Sequence, residues 1–104
     1  MEDLPRLLER LQRDDIVVQP RRLGILILLA LEGRLSFKEL QDSLHLSPGN
    51  LGSHIQVLEK EGLVTRTRCL KGLRYVTCYE LTEKGLERLT FILEITSKLS
   101  KLMK

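Results

Sequence analysis

No run in this chain is long enough to cross a bilayer. The most apolar stretch, Leu23 to Leu31, falls well short of the ~20 residues a membrane helix needs. The first residues are acidic and include a proline, whereas a secretory leader is basic and then apolar, so a cytoplasmic protein is expected. No segment repeats, and none is of low complexity. There is no glycine-rich phosphate loop and no nucleophile-elbow serine, and neither His45 nor His54 has an acid–base partner at a telling spacing. The chain is therefore read as a non-enzyme. Cys69, Cys78 and the two histidines stand at no zinc-ligand spacing, so neither metal nor other cofactor is expected. Asparagine is almost absent, with Asn50 alone.

Acids are missing from one segment in particular. Residues 63–79 hold Arg66, Arg68, Lys71 and Arg74 and no acid, a local +4 in a chain whose net charge is +3. The segments on either side carry the balance: residues 1–35 are neutral, 36–62 sum to −2 and 80–104 to +1. Such focusing suits an anionic partner met by that segment, with phosphates as the obvious ligand.

What the chain does have is helix punctuation. Ser36 with Glu39 forms a capping box, in which each side chain satisfies an amide left free at a helix start. Ser47 before Pro48 marks a second start, because proline at the first helical position gives up no needed bond. The turn at residues 44–46 is so short that the two helices must be neighbours at a steep angle, the outline of a helix-turn-helix. Gly62 ends the second helix. The β-branched and aromatic runs Val64 to Cys69 and Arg74 to Leu81, joined at Lys71-Gly72, then read as a hairpin, or wing.

Elsewhere the periodicity predicts helix one from Leu4 to Arg13 and an extended Ile16-Val17-Val18 within a linker at 14–19. Helix two opens at Pro20 and runs to Glu32, buried on most sides because it is nearly all apolar after Arg22. Arg34-Leu35 is expected to be an edge strand against the wing, and a last helix to run from Thr82 to Met103. The expected fold is mainly α with a β-hairpin wing: α1-α2-(β1)-α3-α4-β2-β3-α5, a winged helix-turn-helix in one domain, homodimeric. Residues 36–61 are its helix-turn-helix, 63–81 its wing, and 1–13 and 82–104 its dimerisation helices.

With these motifs in place, RRLGILILLALEGRLSFKELQDSLHLSPGNLGSHIQVLEKEGLV, continuing to the LTEKG of residues 81–85, resembles winged-helix transcriptional regulators related to the MarR and ArsR families. The likeness is to a branch with a GNLSSHL-type recognition helix, matched by Gly49-Asn50-Leu51, Ser53-His54 and Leu58. It spans roughly residues 20–90. The resemblance implies a sequence-specific double-stranded DNA-binding regulator, a repressor by family habit. A winged helix used as a protein-interaction module is the alternative, and four cations with no acid on the wing argue against it.

Helical geometry at 100° per residue turns Leu51, Ile55 and Leu58 inward and Gly49, Ser53, Gln56 and Lys60 outward, with Asn50 and Val57 on one shoulder and Gly52 on the other. Asn and Gln can bond adenine bidentately and Ser can serve either base type. The expected DNA contacts are therefore Gly49, Asn50, Ser53 and Gln56 on this helix. Ser36, Lys38 and Ser47 at helix starts and Arg66, Arg68, Lys71 and Arg74 on the wing would meet phosphate. His54 lies at the edge of the open face, where it would meet phosphate or base or else cap a neighbouring carbonyl. Arg21 and Arg22 sit at a helix start that disfavours cations, which points to a salt bridge or a phosphate. If the hairpin turns on Lys71-Gly72, Cys69 faces Arg74 and Cys78 faces Thr65, which excludes a disulfide within the wing. Cys69 is then a small wing residue or, beside Arg68 and Lys71, a redox-sensitive thiol.

The last helix carries Leu89, Ile92, Thr96, Leu99 and Met103 at 3-4 spacing, widened by Leu86, Phe91, Leu93, Ile95 and Leu102. Together with Leu4, Leu7, Leu8 and Leu11 it is expected to form the interface of a homodimer, which would read an inverted repeat. Any small-molecule effector would enter between these end helices and helix two.

Overall fold

The computed structural model describes residues 4–103. In chain order these form α1 (Leu4–Gln12), α2 (Pro20–Glu32), β1 (Leu35–Ser36), α3 (Phe37–Leu44), α4 (Pro48–Lys60), β2 (Val64–Lys71), β3 (Arg74–Leu81) and α5 (Glu83–Leu102). The starts of α2, α3, α4 and α5 each have a side-chain acceptor for a free amide. Gln19 Oε1 accepts from Arg22 N at 2.8 Å, Ser47 Oγ from Asn50 N at 3.2 Å and Thr82 Oγ1 from Gly85 N at 3.0 Å. The capping box is complete: Ser36 Oγ accepts from Glu39 N and the Glu39 carboxylate accepts from Ser36 N. His45 takes the left-handed conformation at φ 53° and so turns the chain between α3 and α4.

The core forms where α2 meets the other elements. Ile25, Leu26 and Leu29 are buried among Leu40 of α3, Leu51, Ile55 and Leu58 of α4, Leu63, Val64, Tyr79 of β3, and Leu89, Ile92 and Ile95 of α5. The expectation that α2 is covered on most sides is corrected: Ile27 and Ala30 are exposed, and Leu31 is 75% exposed. Among the described residues no element lies over that side.

Between α1 and α2 the chain turns instead of extending through Ile16-Val17-Val18. Asp14 Oδ1 accepts from Val17 N at 2.9 Å and the Asp14 carbonyl accepts from Val18 N at 3.3 Å, and these bonds bend the backbone and bury Val17. The buried Asp14 carboxylate also takes two bonds from the Arg88 guanidinium, at 2.7 and 3.2 Å, which ties this turn to α5. Arg10 of α1 lies 3.9 Å over the Phe91 ring. With α1 and α2 against it, α5 buries Leu89, Phe91, Ile92 and Ile95 within its own chain. Leu86 and Leu93, each 52% exposed, and Leu102 and Met103 remain open.

The sheet is antiparallel in the order β1-β3-β2, with Leu35 opposite Tyr79 and Ser36 opposite Cys78. The wing turns on Gly72-Leu73, one residue later than expected, with Lys71 facing Arg74. The reason is conformational: Gly72 has φ 65°, and a two-residue hairpin loop favours such a residue first in the turn. Moving the turn by one residue moves every cross-strand partner by two. Cys69 faces Val76 and Cys78 faces Thr67, so the cysteines are diagonal neighbours on one face with Cα atoms 5.8 Å apart. They form a disulfide, contrary to the exclusion drawn from the sequence.

Two stability predictions follow from the packing around α5. A Cβ at Gly85 would fall inside the van der Waals shell of the Leu63 carbonyl oxygen, a backbone atom that cannot rotate away. Gly85→Ala should destabilise the fold by about 1–3 kcal/mol in denaturant titration, as overpacked sites do. The second concerns acid. Burial pushes the Asp14 carboxyl up, but the Arg88 hydrogen bonds, the Val17 amide and the Arg88 charge outweigh it and leave its pKa below the usual 3.8. That contribution is present above the unfolded pKa and disappears as pH falls through the lower folded one. Arg88→Ala should thus lower the melting temperature at pH 7 and flatten its decline below about pH 4; a parallel decline in both proteins would contradict this pairing.

Candidate nucleic-acid interface

One face of α4 is open. Gly49, Asn50, Ser53, Gln56 and Lys60 are exposed, opposite the buried Leu51, Ile55 and Leu58. A Cβ added at Gly49 or Gly52 would meet nothing within 4 Å, so a flat partner can reach the backbone there. The Ser47 hydroxyl is held in the cap, while the side chains of Asn50, Ser53 and Gln56 have no hydrogen-bond partner among the described residues. Such unsatisfied, short polar groups on a rigid helix suit base edges.

The start of α3 is less available. Ser36 is buried and its hydroxyl is used in the capping box, and Lys38 pairs with Asp42 at 3.2 Å on the surface. His54 is half-buried. Its Nδ1 accepts from Arg22 Nη1 at 3.2 Å, which places the ring proton on Nε2. Burial, then the Arg22 and Arg21 charges, hold its pKa below the usual value, so the ring is neutral at pH 7. Arg22 also donates to the carbonyls of Ile16 at 2.6 Å and Asp15 at 3.0 Å. Its place at a helix start is thus explained by carbonyl oxygens of the preceding turn, neither a carboxylate nor a phosphate. Arg21 is exposed.

On the wing the four cations divide into two kinds. Arg66 makes a two-point bond to Glu59 of α4, at 2.7 and 3.1 Å, and the pair holds its pKa above the usual value. Lys71 pairs with Glu39 of α3 at 3.0 Å. The Ser36 amide and then Lys71 lower the Glu39 carboxyl, so it stays ionised. Arg68 lies 5.0 Å over the Tyr75 ring and Arg74 is exposed with no ion pair among the described residues. The negative charge of segment 36–62 is therefore folded against the positive charge of the wing. Glu39, Glu59 and Tyr75 were missed as parts of the site. Glu59 and Arg66 are seven residues apart, on either side of the turn at Gly62 that leads from α4 into β2.

The residues expected at a dimer interface are spread over three environments. Leu7, Leu89 and Ile92 are buried in their own chain, Leu4, Leu8, Leu11 and Leu99 are half-buried, and Leu93, Thr96 and Met103 are exposed. The Thr96 hydroxyl donates to the Ile92 carbonyl at 3.0 Å. The groove between α1 and α5, about 520 Å³, is rimmed by Arg10, Glu83, Glu87, Arg88 and Glu94 and is open to solvent. Among the described residues no group of three His, Cys, Asp or Glu side chains could hold a metal ion, and no helix is long and apolar enough to cross a membrane.

These features have counterparts in known proteins. The family model described as "Winged helix DNA-binding domain" matches residues 21–103. Among solved structures, the transcriptional regulator homologue protein from Pyrococcus horikoshii OT3 is 33% identical, with 95% of this chain and 98% of that chain covered and a TM-score of 0.82. Two more distant ones share the fold. PadR of Bacillus subtilis, solved in complex with operator DNA, is 21% identical over 72% of this chain and 47% of its own, with a TM-score of 0.62. ZitR of Lactococcus lactis, solved in complex with DNA, is 23% identical over 88% of this chain and 62% of its own, with a TM-score of 0.65. No relative is found among the curated proteins. The matched span and the Pyrococcus likeness show that this chain belongs to the family of winged helix DNA-binding domains, a homologue of transcriptional regulators and not an enzyme.

Proposed function

We propose that this chain is a sequence-specific double-stranded DNA-binding regulator, a repressor, that acts in the cytoplasm as a homodimer on an inverted repeat. The observation that carries the reading is the open face of α4, where Asn50, Ser53 and Gln56 have no side-chain partner among the described residues and are flanked by the basic wing. In this arrangement α4 enters the major groove and its carboxamides read adenine edges. Arg68 and Arg74 meet the adjoining phosphates, with Lys38 and the Gly49 amide at the α4 start fixing the register. PadR and ZitR, which share this fold, were solved in complex with DNA, and that supports DNA as the partner. Repression then needs no activating surface: occupancy of the site blocks the polymerase.

Two copies are proposed because α2 and α5 leave Ile27, Leu31, Leu86, Leu93, Leu102 and Met103 open. Covering large apolar side chains stabilises a dimer by roughly 1.5–3 kcal/mol per fully buried group. The interface favoured here is centred on Leu86, Leu93 and the end of α5. Leu89 and Ile92, already buried in their own chain, support it from beneath.

Duplex titrations at two salt concentrations separate the roles. Arg68→Ala or Arg74→Ala should weaken cognate and random duplex alike and reduce the salt slope by about one per lost contact. Asn50→Ala or Gln56→Ala should cost about 1–3 kcal/mol on the cognate site and little on random DNA. Glu59→Gln should act in the opposite sense, releasing Arg66 and steepening the slope by about one per protomer. Indifference of every variant would leave a protein-interaction module as the better reading. For assembly, Leu86→Asp with Leu93→Asp should give a monomer by light scattering and shrink the footprint from two half-sites about 34 Å apart to one. A wild-type monomer at micromolar concentration would refute the dimer.

A further inference from the structure

The wing is supported unevenly. β1 is two residues long and pairs β3 only at Tyr79 and Cys78, so the sheet is three strands wide at that level and two strands wide beyond it. From Cys69 and Val76 outward the hairpin has little cover: Leu70, Tyr75 and the fully exposed Leu73 all stand in solvent. Two-stranded hairpins in water are marginally stable by themselves. The Cys69–Cys78 disulfide lies at this boundary. Cys78 is fully buried between Ser36 and Thr67, while Cys69 is half-exposed on the second rung beyond the reach of β1. Beyond the bridge lie Lys71 and Arg74, and Arg68 is next to it. Among the described residues the outer hairpin is also held by the Arg68–Tyr75 ring contact and by the Lys71–Glu39 ion pair, whose two side chains are each more than 40% exposed. Pairs of that kind contribute little.

We propose that Cys69–Cys78 is a thiol–disulfide exchange site whose oxidation state sets the affinity of the wing for DNA. This rests on the DNA-binding reading above. The co-reactant is a dithiol, small or protein-borne. One thiolate of the dithiol attacks the half-exposed Cys69 sulfur, the S–S bond breaks, and Cys78 leaves as a thiolate that takes up a proton. The second dithiol sulfur then displaces Cys69 from the mixed disulfide. The net change is one protein disulfide and one dithiol converted to two protein thiols and one oxidised dithiol. Return is by a peroxide: the two thiols give up two electrons and two protons, and hydrogen peroxide becomes two waters. Reduction removes the cross-link that holds the outer hairpin in register, so ordering that hairpin must be done at the moment of DNA binding. Affinity falls accordingly.

The test uses the full chain, oxidised and reduced with dithiothreitol, together with the Cys69→Ser/Cys78→Ser double variant. Anisotropy on a labelled duplex reads affinity, thiol alkylation with mass spectrometry reads the bridge, and hydrogen exchange reads order at residues 70–75. The reduced protein should bind roughly tenfold more weakly with a salt slope smaller by up to about two per wing. Its outer-wing amides should exchange faster while those of α2 and α4 keep their protection. The double variant should match the reduced protein and ignore dithiothreitol. A bridge that resists the dithiol, or equal DNA affinity in the two states, would overturn the proposal. Absence of DNA binding in both states would instead overturn the parent reading, and this coupling with it.

Discussion

The approach of Gly85 to the Leu63 carbonyl fixes how the three functional parts of this chain sit on one another. At that point the end of α4, the root of the wing and the start of α5 meet. The Thr82 hydroxyl donates to the Gly62 carbonyl at 2.7 Å while accepting from Gly85 N, and Thr82 N donates to Leu63 O at 3.1 Å. Lys84 adds a bond to the Glu61 carbonyl at 2.9 Å. A single crowded junction therefore links the helix whose free face suits base reading to the helix whose open leucines suit a second copy. Interiors packed at this density transmit displacement and do not absorb it.

The same economy governs charge. A helix-turn-helix with a net −2 is a poor attractor of phosphate, and the wing compensates with four cations. Folding then pairs two of those cations with Glu39 and Glu59. On the wing, Arg68 and Arg74 are left without an ion pair among the described residues, and in the proposed complex they carry the attraction for DNA. A small sequence-independent term leaves a larger fraction of binding to the side chains that touch base edges. Arg66 remains close to the open face of α4, held by an acid that also lies on that helix, so its orientation follows the orientation of α4 itself.

Much of this was legible in the sequence because it is written in local rules. The Ser36–Glu39 box, the Ser47-Pro48 start and the leucine stripe of α4 each depend on residues within one or two turns of one another, and the open face of α4 follows from them by angle alone. The errors share the opposite property. The disulfide was excluded because the turn was placed on Lys71-Gly72; one residue of slip reassigns every pair in a ladder, and nothing in the strands resists it when both faces of the outer hairpin are exposed. Arg22 looked misplaced against its helix dipole because its partners, the carbonyls of Asp15 and Ile16, belong to a bend that Asp14 creates. The apolar run of α2 was read as covered on most sides, and the side that holds Ile27, Ala30 and Leu31 stays open, since composition records what a residue would bury and not whether this chain supplies the cover.

Three contacts hold α4 from different sides: Leu51, Ile55 and Leu58 in the core, the Arg22–His54 bond to the preceding turn, and the Glu59–Arg66 pair to the wing. A helix restrained in this way has little orientational freedom to lose on docking, so its few base contacts are not spent on ordering it. The outer wing is held differently. Beyond β1, among the described residues, the Cys69–Cys78 bridge, the Arg68–Tyr75 ring contact and the exposed Lys71–Glu39 pair hold it. In the proposed complex, sequence reading and phosphate attraction thus fall to elements of unequal stability. Of the two, only the phosphate-binding element can be loosened without disturbing the core.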